Sequence, residues 1–83
     1  MEKFYDDIVE NVKMLRKSRK ISQLKLANIL EFKSLNYIAK IETRRHDVTY
    51  NLGYLYKISK EFKIDINDLI PTNIAIRYVR VLV

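Results

Sequence analysis

Eighty-three residues with 48% apolar side chains, and with 16 Lys and Arg against 10 Asp and Glu, describe one small folded domain of net charge +6 and exclude a disordered tail. With no Cys and a single histidine, His46, the chain has no disulfide framework, no Cys-ligated zinc and no multi-His metal centre. One glycine, Gly53, leaves no phosphate-cradling loop, and no nucleophile motif is present, so neither an enzyme nor a bound cofactor is expected.

A first helix is predicted to start near Asp6 or Asp7, where Asp7 and Glu10 have the spacing of a capping box. Ile8, Val12 and Leu15 form its buried stripe, and its last turn, Lys17 to Lys20, is basic. Ser22 is the predicted cap of a second helix with Leu26, Ile29 and Leu30 inward and Ala27 small enough for close helix approach. Ser34 caps a third with Ile38 and Ile41 inward, and residues 43–48 read as a loop. A fourth helix is expected from Thr49 or Asn51, with Leu52, Leu55, Ile58 and Phe62 on its core face. IDINDLI suggests a very short fifth helix capped by Asp65 or Asn67, and Pro71 ends it.

Beyond Pro71 the periodicity changes from helical to alternating. NIAIRYVRVLV is rich in β-branched residues and reads as a strand, with Ile74, Ile76, Tyr78 and Leu82 on one face and Ala75, Val79, Val81 and Val83 on the other. No other segment offers a convincing partner strand. The favoured partner is the same segment of a second copy, giving a two-chain antiparallel ribbon and a homodimer through Ile74, Ile76, Tyr78, Val79 and Val81. The alternatives are a tail packed on its own helices or pairing with the N-terminal KFY. The expected organisation is therefore a helical domain over 1–71 and a dimerisation strand over 72–83. No apolar run approaches a membrane span and MEKFYDDIVE lacks the shape of a signal peptide, so a cytoplasmic location without a membrane partner is expected.

The second and third helices are short, amphipathic and joined by a tight connection, a pairing suited to placing the third in a DNA major groove. The charge agrees. Residues 13–45 hold ten Lys and Arg against Glu31 and Glu42, a local +8, while the remainder carries six basic and eight acidic residues. Arg16 and Glu42 fall on the apolar stripes of their helices. Either they pair with one another or both lie solvated at the stripe's edge. Tyr37, Tyr50, Tyr54 and Tyr56 raise single-stranded stacking as a lesser alternative, although helical placement favours plain packing.

Leu15-Arg16, Ile21-Ser22-Gln23, Leu26-Ala27, Leu30, Ser34, Ile38 and Ile41-Glu42 resemble the Xre family, the phage-repressor and Cro type of helix-turn-helix protein, from about Val12 to Ile70. The resemblance implies an all-α, five-helix, usually dimeric domain that reads operator half-sites in double-stranded DNA. It also implies that Arg16 and Glu42 match a buried ion pair common in such domains. Base contacts would come from Ser34, Leu35, Asn36, Ala39 and Lys40. Asn36 is the best base reader, because its amide can bond an adenine edge twice. Backbone contacts would come from Gln23, which in the family holds the DNA backbone, and from Lys17, Lys20, Lys25, Lys33, Arg44 and Arg45. The expected activity is transcriptional regulation, with repression favoured. An antitoxin bound to a partner toxin, a restriction–modification controller and a protein-binding module share the fold. The chain departs from the family pattern in three places. Gly is absent from the Leu30–Ser34 turn, which is one residue longer than usual; Lys20 stands where Gly is common; and the loop after Glu42 is about two residues longer.

Overall fold

A computed structural model describes residues 2–34, 36–44 and 48–71. Four α-helices are followed by a single 3₁₀ turn: α1 Glu2–Ser18, α2 Gln23–Ile29, α3 Asn36–Thr43, α4 Leu52–Phe62, then Ile66–Asp68. The described part is all-helical and contains no strand. The strand expected over 72–83, with Ile74, Ile76, Tyr78, Val79 and Val81, lies outside the described residues.

Three boundaries differ from the expectation, the smallest being that α3 runs through Thr43, the first residue of the expected loop. The first helix begins four residues earlier than Asp6, because Phe4 sits one turn before Ile8 and lengthens the apolar stripe that packs on the core. Asp7 then lies within the helix, where it pairs with Lys3 at 3.7 Å rather than capping an end. The fifth helix is reduced to one 3₁₀ turn, capped by Asp65, whose Oδ1 accepts from the Asn67 backbone N–H at 2.9 Å. The other starts follow their caps. Ser22 Oγ accepts from the Lys25 N–H at 3.0 Å and Asn51 Oδ1 from the Tyr54 N–H at 2.9 Å.

The helix ends explain how the chain turns without glycine. Lys20, Glu31 and Lys63, following α1, α2 and α4, all adopt left-handed φ of 56–61°. At each, the next backbone N–H reaches back five residues: Ile21 to Arg16, Phe32 to Ala27, Ile64 to Ser59, at 2.9–3.0 Å. The apolar side chain of that next residue packs against the core. These are Schellman ends in which a backbone hydrogen bond and an apolar contact offset the cost of a left-handed non-glycine residue. Both connections noted as lacking glycine carry a left-handed residue, Lys20 in one and Glu31 in the Leu30–Ser34 turn.

The core is built from Ile8, Val9 and Val12 of α1, Leu26, Ala27 and Leu30 around α2, Ile38 and Ile41 of α3, and Leu55, Ile58 and Phe62 of α4, closed by Tyr50 and Leu69. Asn11 Nδ2 donates to the Leu69 carbonyl at 3.0 Å and ties the end of the described chain to α1. Leu52 departs from its expected core position. At 68% exposure it stands in the first turn of α4, and the buried stripe of that helix begins at Leu55.

Candidate nucleic-acid interface

α2 packs on α3, and α3 packs in turn on α1. The inner side of α3 is committed to this packing: Ile38 and Ile41 are fully buried and the Glu42 side chain is 4% exposed. Its outer side is mostly polar, with Tyr37 the exposed aromatic on it. Asn36, Lys40 and Thr43 are exposed at spacings of four and three residues, and Ala39 is half-buried beside them. The helix starts beneath Ser34, whose hydroxyl oxygen accepts from the Asn36 N–H at 3.3 Å. Ser34 itself is exposed. Leu35 lies outside the described residues.

Of the two arrangements open for Arg16 and Glu42, the structure adopts the buried pair. Arg16 Nε donates to Glu42 Oε2 at 2.8 Å and Nη2 to Oε1 at 3.0 Å, a bidentate fork. Arg16 Nη1 donates to the Ile21 carbonyl at 2.8 Å, and Gln23 Nε2 donates to Glu42 Oε1 at 2.9 Å. One carboxylate thereby joins the end of α1, the start of α2 and the end of α3. Every charged atom of the pair that is removed from water has a partner, as a buried pair requires. Gln23 is thus anchored to protein through its amide nitrogen.

Tyr50 lies close to this clasp. Its ring is in the core, and burial pushes its phenol well above the usual tyrosine range; the Glu42 charge pushes the same way and Arg16 opposes it. Among the described residues its hydroxyl has no hydrogen-bond partner.

Lys17, Lys20, Lys25, Lys33 and Lys40 are all exposed, and none of them forms an ion pair among the described residues. Arg44 is differently placed. Its Nε lies 2.6 Å from Asp6 Oδ1 and its Nη1 donates to the Val48 carbonyl, so it closes the loop after α3 against α1. Arg45 lies outside the described residues. Glu31 in the turn meets Lys57 of α4 at 3.1 Å, and Phe32 holds the turn down between Tyr37 and Tyr54, with ring centroids 4.7 and 4.8 Å away.

Sequence reasoning missed Thr43 and Asp6. Thr43 was legible, since it stands seven residues after Asn36 on the same helix face. Asp6 was not, because its partner Arg44 is 38 residues distant. Among the described residues no three His, Asp or Glu side chains gather closely enough to hold a metal ion, and no helix is long and apolar enough to cross a membrane. Comparisons with protein-family models, with curated proteins and with solved structures give no match to this chain.

Proposed function

We propose that the chain is a sequence-specific, double-stranded-DNA-binding transcriptional regulator of the Xre type, acting as a homodimer on a palindromic operator and repressing by occupying a promoter. The carrying observation is the two-sided character of α3. A helix of eight residues buries Ile38, Ile41 and Glu42 and leaves a polar stripe of Asn36, Lys40 and Thr43 outside. Such a helix, supported by α2 and locked by the Arg16–Glu42 fork, suits insertion into a major groove. Asn36 would read an adenine edge, Lys40 a guanine edge or a phosphate, and Ala39 and Ser34 would border them. The five exposed lysines would bind phosphates, supplying affinity and register without sequence choice. Dimerisation through residues 72–83 would set two half-sites one helical turn apart.

Selection of bound duplexes from a random pool tests this reading. The expected product is a palindrome with half-site centres about 10–11 bp apart. Asn36→Ala should then weaken binding to that sequence by about 1–3 kcal/mol and leave binding to unrelated duplex nearly unchanged. Equal weakening on both would remove Asn36 from base reading. A pool without an enriched motif would send the +8 surface to a non-specific role and favour a protein partner.

A further inference from the structure

The first half of α1, residues 49–51 and the start of α4 enclose a cleft of about 680 Å³, with Arg44 and Tyr50 also in its lining. Its walls are mainly apolar, including Phe4, Tyr5, Ile8, Leu52, Leu55 and Ile70. Tyr5 and Leu52, at 38% and 68% exposure, are two of the large apolar side chains left facing solvent. A small domain gains nothing from a wet apolar cleft of this kind, so something is expected to cover it.

We propose that this cleft seats one face of the chain's own segment 72–83. Three observations single out that occupant. Ile70 is part of the wall and Pro71 follows it, so the described chain ends beside the cleft. The twelve residues that follow span up to roughly 40 Å when extended, ample reach for a cleft that starts beside them. Their chemistry also matches: Ile74, Ile76 and Tyr78 alternate on one face of an extended chain, and an apolar face suits a wall of Phe4, Tyr5, Ile8 and Leu52. Docking by the Ile74, Ile76 and Tyr78 face also resolves the difficulty of a strand apolar on both sides. One face finds cover within its own chain. The smaller face of Ala75, Val79 and Val81, together with the backbone edge, is left for a second copy. The cleft is thus the intramolecular half of the dimerisation device, and its occupancy does not depend on whether the α3 surface binds DNA.

The full chain at 10.0 kDa is suited to NMR. Methyl contacts from Ile74 and Ile76 to the Phe4 and Tyr5 rings are expected within one chain, and an isotope-mixed sample separates these from contacts between copies. Their absence, or their appearance between copies alone, overturns the proposal; the second result would make the occupant a partner's segment. Leu52→Gln in the full chain gives a separate reading. A covered Leu52 loses its packing, and the melting midpoint should fall by about 5 °C or more. A shift below about 2 °C, as for an uncovered surface residue, overturns it.

Discussion

Tyr50 and Lys63 carry costs that single substitutions can isolate. The Tyr50 hydroxyl is buried without a partner among the described residues, so Tyr50→Phe at pH 7 should be neutral or stabilise by up to about 1 kcal/mol. Its phenol titrates above the unfolded value of about 10. The folded state therefore keeps a proton that the unfolded state releases above pH 10. Stability from this group is complete below pH 10 and declines as pH rises further. Urea unfolding at pH 8 and pH 11 should show a larger loss for the unaltered chain than for Tyr50→Phe; equal losses would contradict a neutral buried phenol. Lys63, at φ 57°, is a left-handed residue closing α4. Lys63→Gly should raise stability by about 0.5–1 kcal/mol in thermal unfolding, since glycine adopts that conformation without steric cost.

Among the elements, the relation of α3 to its neighbours depends on one carboxylate. Glu42 accepts from Arg16 at the end of α1 and from Gln23 at the start of α2. Removing one partner strands the other as a buried charge, so Arg16→Ala should cost about 3–5 kcal/mol in urea unfolding. Replacing both, as Arg16→Met with Glu42→Leu, should cost much less. A double variant as unstable as the single one would mean that the fork supplies net stability beyond charge compensation. Periodicity located α2, α3 and α4 because their buried stripes recur at helical spacing and their caps, Ser22 and Asn51, precede them directly. It placed the start of α1 too late, because the acidic pair Asp6-Asp7 resembles a cap while the reason for continuation is Phe4 packing on the core. The glycine-free turns were read as departures, whereas Lys20-Ile21, Glu31-Phe32 and Lys63-Ile64 share one pattern: a polar left-handed residue followed by an apolar one that folds back.

At the scale of the molecule, the ion pairs change which of the charges counted from the sequence face solvent. The +8 of residues 13–45 already counts Glu42, the partner of Arg16; Asp6 offsets one further charge at Arg44, and Lys17, Lys20, Lys25, Lys33 and Lys40 stay exposed alongside Arg19. If all five lysines contact phosphates, the logarithm of affinity should fall against the logarithm of salt concentration with a slope of about −4.5 per monomer. Fluorescence anisotropy between 50 and 200 mM salt measures it, and a nearly flat slope would sink the electrostatic part of the DNA reading.

The all-helical class, the positions of three helices, the caps of α2 and α4 and the outward stripe of α3 follow from local chemistry, because cap hydrogen bonds and helical periodicity involve residues within a few positions of each other. The pairing of Arg16 with Glu42 was legible only as an alternative, since spacing puts two charges on apolar stripes without saying whether they meet. The structure decided it across 26 residues, and it also decided the attachment of Arg44 to Asp6, the exposure of Leu52 and the cleft beside it. Each of these depends on which surfaces meet after α1 and α4 are brought together, and that is a property of packing between distant segments that no local pattern records.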